Sequence, residues 1–199
     1  MNAKINKIQS NTPLIGTIVT LNNPQITEML SSAGFDWLMI DMEHSTLTIG
    51  EVQCLLQSMH PDCISIVRIP GNDPVWIKRV LETGCDGIMV PLVNSEDEAR
   101  VAVDAAKYPS DGSRSFGVSR AHGYGARFDS YINSANQETV VLIQVEHIKA
   151  VNYIEQILSV KGIGGIFVGP YDLSGSLNRI GNISDEEVQK AIDIVKACC

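Results

Sequence analysis

One pattern recurs along this chain and limits what it can fold into: a strand-sized apolar run that ends on an ionisable residue. Val140-Val141-Leu142-Ile143-Gln144-Val145 delivers Glu146, and Gly164-Gly165-Ile166-Phe167-Val168 passes through Gly169-Pro170-Tyr171 to Asp172. Earlier, Asp36-Trp37-Leu38-Met39-Ile40 leads into Asp41-Met42-Glu43-His44, and Ile64-Ser65-Ile66-Val67 ends on Arg68. Runs this apolar belong to strands buried on both faces of a parallel sheet, whose carboxyl ends gather at one mouth. Adjacent strands lie about 4.8 Å apart, so Glu146 and Asp172 are expected within reach of one hard divalent cation.

Helical signals fill the intervals. Thr48 with Glu51, Ser95 with Glu98 and Ser184 with Glu187 have capping-box spacing, Pro24 and Asp73-Pro74 open helices, and Gly34 and Gly84 close them. A further helix is expected from about His147 to Leu158. Leu14 to Val19 and Asp86 to Pro91 complete a set of six strands alternating with helices, an α/β chain with a parallel sheet. An open doubly wound sheet and a (β/α)8 barrel both place unusual polar residues at strand carboxyl ends. Convergence from four strands favours the barrel, whereas the strand count falls two short of it. From Pro109 to Glu138 periodicity lapses, and this stretch reads either as a binding loop or lid or as plain irregular packing.

Composition removes several functional classes. At 199 residues, 44% hydrophobic and 19% charged, the chain has the makeup of a single domain with a sizeable core. A formal net charge of -8 with singly scattered lysines and arginines argues against nucleic-acid partners. Met1 to Thr12 is polar and no apolar stretch reaches membrane-spanning length, so a cytoplasmic protein without a membrane partner is expected. Five cysteines without a C-x-x-C pair argue for reduced thiols rather than a disulfide framework or a zinc site.

The remaining chemistry rests on few residues. Glu146 and Asp172 supply two hard oxygens, which suits Mg2+ or Mn2+ with coordination positions left for substrate; the alternative is that each carboxylate caps a following helix. Arg68 either stabilises an oxyanion or pairs with Asp41 or Glu43. His44 is the acid-base candidate, with Asp41 and Glu43 to orient its ring; the alternative is a surface histidine. Gly162-Ile163-Gly164-Gly165 precedes a strand instead of following one, so it is not a phosphate loop. No lysine falls at a strand's carboxyl end, which leaves Schiff-base catalysis without a nucleophile.

Taken together, Gly34-Phe35-Asp36-Trp37-Leu38, Asp41-x-Glu43-His44, Val67-Arg68, Val90-Pro91, Tyr108-Pro109-x-x-Gly112-x-Arg114, Gln144-x-Glu146 and Gly169-Pro170-x-Asp172-Leu173-Ser174 resemble the metal-dependent class II pyruvate aldolases. The nearest type is the 4-hydroxy-2-oxoheptanedioate aldolases, in the citrate lyase β-like group. The resemblance runs from Leu14 to Lys196. It implies a TIM barrel of the phosphoenolpyruvate/pyruvate type whose strands 7 and 8 are not in this sequence, so residues 1–199 are expected to form one catalytic domain that is incomplete at its C-terminus.

The same resemblance implies Mg2+, Mn2+ or Co2+ on Glu146 and Asp172, with His44 as acid-base residue supported by Asp41 and Arg68 on the enolate oxygen. Gln144 and the backbone of Gly169, Pro170, Tyr171 and Asp172 would position a pyruvate unit. Glu43 would support the site, and Glu82 would be lent to a neighbouring subunit of a hexamer. A 2-oxo acid and an aldehyde are the implied small-molecule partners. Ile18 stands where relatives carry Trp, and Ser115 where they carry Gly.

Overall fold

The computed structural model describes residues 3–10 and 12–199 of the chain. Its centre is one six-stranded sheet of β1 (Gly16–Val19), β2 (Trp37–Asp41), β3 (Ile64–Arg68), β4 (Gly87–Val90), β5 (Val140–Val145) and β6 (Gly165–Val168). Every pairing is parallel and the spatial order is the sequence order, β1 to β6. The sheet curls into a half-barrel, as a TIM barrel lacking its last two strands would, and the doubly wound alternative, which needs a reversal in strand order, is set aside.

Side-chain alternation divides the sheet. Leu38, Ile40, Val67, Ile88, Val90, Val141, Ile143 and Val145 face outward and are all but fully buried under the helices. Each such residue contributes roughly 1.5–3 kcal/mol of burial. Trp37, Met39, Ile64, Ile66, Met89, Val140, Leu142 and Phe167 face inward and line an apolar cleft of about 170 Å³.

The outer layer is α2 (Pro24–Ser32), α3 (Ile49–Ser58), α4 (Pro74–Leu81), α5 (Glu96–Ala106), α6 (Phe128–Glu138), α7 (Ile148–Asn152), α8 (Ile154–Leu158), α9 (Pro170–Ser176) and α10 (Glu186–Cys198). Thr48 and Glu51 form the full capping box at the start of α3. At α5 only half of that motif exists, because Glu98 takes the backbone N–H of Asn94 rather than that of Ser95. The last cap is Asp185, which accepts from the backbone of Glu187, one residue later than the Ser184 box expected. The helix expected over 147–158 is broken at Tyr153 into α7 and α8.

Two segments departed from the sequence reading. The polar amino terminus carries a short helix, α1 (Ala3–Ile8), whose Ile5 and Ile8 plug the amino end of the inner face. Lys4 Nζ reaches Asp86 Oδ2 at 2.8 Å and Lys7 Nζ reaches Asp36 Oδ1 at 2.7 Å, which fixes α1 beneath the strands. The stretch over 109–138 is not wholly irregular, since its last third is α6. That helix seats Phe128 and Tyr131 in an aromatic cluster with Tyr108, Phe116 and His122. Among the described residues no helix is long and apolar enough to cross a membrane.

Candidate active site

Inward-facing parity continues past the apolar layer. Asp41 at the end of β2, Arg68 at the end of β3, and Gln144 and Glu146 at the end of β5 share the inner face at the carboxyl rim, and all four are buried. Arg68 Nε donates to Asp41 Oδ1 at 2.9 Å, Nη2 to Asp41 Oδ2 at 2.6 Å, and Nη1 to Gln144 Oε1 at 3.4 Å. Gln144 Nε2 in turn donates to Glu146 Oε2 in a short contact. One N–H on each of Nη1 and Nη2 is left over from this arrangement, since a guanidinium carries five.

The charges settle accordingly. Burial works against an ionised Asp41, yet hydrogen bonds from Arg68 and the His44 backbone, with the Arg68 charge, hold its pKa below the usual carboxylate range. Burial pushes Glu43 the other way, upward, and the negative charges of Glu146 and Asp41 add to it against the pull of Arg68. Glu43 Oε2 lies 3.3 Å from Arg68 Nε and is buried with no hydrogen-bond partner.

His44 sits at the edge of this network with its side chain 62% exposed, its Nε2 3.7 Å from Glu43 Oε2. Asp41 does not touch the ring. It accepts the backbone N–H groups of Glu43 and His44 at 3.0 and 3.2 Å, so it orders the loop that carries the imidazole rather than the imidazole itself. Of the two sequence readings of Arg68, the pairing with Asp41 and Glu43 is the one seen, and it leaves two of the guanidinium N–H groups outside these bonds.

Glu146 is held from both sides. Its Oε1 accepts the backbone N–H of Leu92 at 2.8 Å, and its Oε2 takes Gln144. Gly169 lies against it: a Cβ there would stand 2.9 Å from Glu146 Cβ and 3.2 Å from Oε2. Pro170 occupies the first position of α9, and Asp172 lies in that helix's first turn, exposed to solvent. Tyr171 beside it is exposed as well. Proline favours exactly that first helical position, so the Gly-Pro pair that ends the strand also starts a helix.

Glu82 does not join the rim. It caps the carboxyl end of α4, which leads into the amino end of β4, and its Oε1 is 2.9 Å from Nη2 of the buried Arg114. Leu92 is the residue that sequence reasoning missed. It adopts φ 56, a left-handed conformation that costs a residue with a Cβ roughly 1–2 kcal/mol, and it acts through its backbone, so its side-chain type carries no signal.

Residues 14–199 match the model of the HpcH/HpaI aldolase/citrate lyase family. The chain belongs to that family. Among curated HpcH/HpaI relatives, the 4-hydroxy-2-oxo-heptane-1,7-dioate aldolase of Escherichia coli is 40% identical over 189 residues, 94% of this chain and 72% of the relative. Among solved structures, an HpcH/HpaI aldolase/citrate lyase family protein from Burkholderia cenocepacia superposes with TM-score 0.95 at 33% identity, over 100% of this chain and 80% of the other. The citrate synthase SbnG superposes with TM-score 0.84 at 26% identity, over 98% of this chain and 77% of the other. Membership makes this HpcH/HpaI chain a carbon–carbon lyase.

The donor set fits the divalent cation that the fold family implies. Glu146 puts a buried carboxylate at the rim, Asp172 offers an exposed one in the first turn of α9, Gly169 lets the backbone after β6 lie against Glu146 where a Cβ would collide, and Glu43 Oε2 is an orphaned buried acceptor beside Arg68. Among the described residues no group of three or more His, Cys, Asp and Glu side chains is gathered to enclose an ion. A cation bound here would keep positions for water or substrate oxygens.

Proposed function

We propose that this chain is a divalent-metal-dependent aldolase that cleaves a 4-hydroxy-2-oxo acid, such as 4-hydroxy-2-oxoheptanedioate, to pyruvate and an aldehyde. The observation that carries the reading is the continuous buried network Asp41–Arg68–Gln144–Glu146 at the rim, with His44 beside it. Glu146 and Asp172 would hold Mg2+, Mn2+ or Co2+, which when bound supplies Lewis acidity to the 2-oxo acid. His44, directly or through water, accepts the proton of the 4-hydroxyl group as the C3–C4 bond breaks. The electron pair of that bond passes to the pyruvate unit, and the two spare Arg68 N–H groups stabilise the enolate oxygen that results.

Gln144 positions the pyruvate unit together with the backbone of Gly169 to Asp172. Asp41 keeps the Arg68 fork rigid, and Glu43 sits between Arg68 and His44, 3.3 Å from Nε of the one and 3.7 Å from Nε2 of the other. The family resemblance assigns Glu82 to a site on a neighbouring subunit of a homo-oligomer, of hexameric order; within its own chain it lies at the amino end of the sheet, paired with Arg114.

The test is pyruvate release from 4-hydroxy-2-oxoheptanedioate by the purified protein, with EDTA and with Mn2+ or Mg2+ restored. Activity that EDTA abolishes and metal returns is the expected result, and metal-independent or absent release overturns the reading. The likeness to a citrate synthase favours a second reading, carbon–carbon chemistry on a phosphoenolpyruvate-like or acyl-CoA substrate, which a substrate panel separates from the first.

A further inference from the structure

The loop after β4 contains a conformation that side-chain packing does not explain. Leu92 has φ 56 although the residue is 58% exposed and so gains little by burial there. Backbone strain of this kind persists only where surrounding contacts over-determine it, and such outliers gather at functional sites. The contacts are on hand: Leu92 N–H donates to Glu146 Oε1 at 2.8 Å, and its C=O accepts Asn94 Nδ2 at 3.0 Å. Asn94 is itself tied to α5, where its N–H donates to Glu98 Oε2 at 2.6 Å.

Resting on the aldolase reading above, we infer that Leu92 is a positioning residue whose left-handed backbone aims its N–H at Glu146 and so presets that carboxylate for the cation. In a β-region conformation the peptide plane would turn, and the N–H would leave Glu146 Oε1. Gln144 would then hold the carboxylate from one side only, free to rotate about its last bond. The turn is anchored in a helix rather than in the sheet, so the cation site would be referenced to α5 as well as to β5.

The discriminating property is tolerance of the left-handed region, not side-chain size. Gly and Asn adopt it readily, whereas β-branched residues do so only as outliers. The experiment measures Mn2+ dissociation constants by electron paramagnetic resonance on the full chain and on Leu92→Gly, Leu92→Asn, Leu92→Val and Leu92→Ile, with thermal midpoints in EDTA alongside. Gly and Asn are expected to raise the constant less than about threefold, and Val and Ile at least tenfold, while the metal-free midpoints of all four stay within a few degrees of one another. If the β-branched variants do not fold, Asn94→Ala, which frees the Leu92 carbonyl, is expected to raise the constant at least threefold.

Val and Ile binding as tightly as the parent, or Gly and Asn losing as much as Val, overturns the inference and leaves the aldolase reading standing. A parent chain that binds no Mn2+ overturns both.

Discussion

Arg68 grips Asp41 along both edges, with Nε 2.9 Å from Oδ1 and Nη2 2.6 Å from Oδ2, and both residues are buried at the ends of adjacent strands. A bidentate pair of this kind fixes the guanidinium plane as well as neutralising its charge. Paired strand ends make the geometry possible, because Asp41 and Arg68 are register partners across β2 and β3.

Asp41→Ala should therefore cost far more than a lost contact. It leaves a buried guanidinium without its bidentate partner, with Glu43 3.3 Å away and Gln144 on Nη1, and frees the two loop N–H groups that Asp41 accepts. Removing one partner of a buried ion pair typically destabilises by about 3–5 kcal/mol. Urea unfolding at pH 7 measures it. A loss below about 1 kcal/mol would mean that Glu43 replaces Asp41 as the partner.

The His44→Ala variant is expected to behave in the opposite manner, folding normally and failing at chemistry. The ring is mostly exposed and lies only at the edge of the buried network, so its removal should leave the thermal midpoint within about 2 °C. General-base catalysis contributes typically about 10²–10⁴-fold, and kcat for pyruvate release should fall by that factor. Mn2+ affinity is the control, because His44 is not among the assigned ligands. A drop of less than tenfold in kcat would assign the proton transfer to another group.

Gly169→Ala tests the space beside Glu146. The backbone there has φ -95, which alanine tolerates, so the effect is steric alone. The added methyl would stand 2.9 Å from Glu146 Cβ and 3.6 Å from Gln144 Nε2, and the carboxylate must move. Overpacking of this sort costs about 1–3 kcal/mol. Mn2+ titration should show affinity reduced about tenfold, and unchanged affinity would remove the space beside Gly169 from the cation site.

How much of this was legible in the sequence follows from which interactions are local. The span of β3 was read to the residue, because Ile64-Ser65-Ile66-Val67 is a mostly apolar run stopped by the charge of Arg68. Helix α6 was missed because only Ala135 of its side chains is fully buried and its N-cap, Arg127, offers no capping side chain. Its evidence is an aromatic cluster with Tyr108 and Phe116, residues distant in the chain. For Asp172 the sequence left a cation ligand and a helix-start position both open, because Gly-Pro punctuates both a strand end and a helix start. That Asp41 serves the backbone and Arg68, rather than the imidazole, depends on the loop's path, and spacing alone does not encode a path.

Lys107 gives a prediction of opposite sign to the usual lysine. It is buried, and Nζ donates at 2.7 Å to the carbonyls of both Asn136 and Thr139 at the end of α6. Burial lowers its pKa to about 8, with Asp111 opposing that shift and Arg114 adding to it. Between that value and the ordinary lysine value near 10.5, the unfolded chain holds a proton that the folded chain has released, so stability rises with pH across the window. At about 1.4 kcal/mol per pKa unit, the folded state should gain roughly 2 kcal/mol from this group between pH 7 and pH 10. Other titrating groups cancel when the parent is compared with Lys107→Met by urea unfolding at both pH values. The parent's stability relative to the variant should grow by that amount as pH rises. Parallel pH dependences would place the Lys107 titration outside this window and return it to an ordinary, charged helix cap.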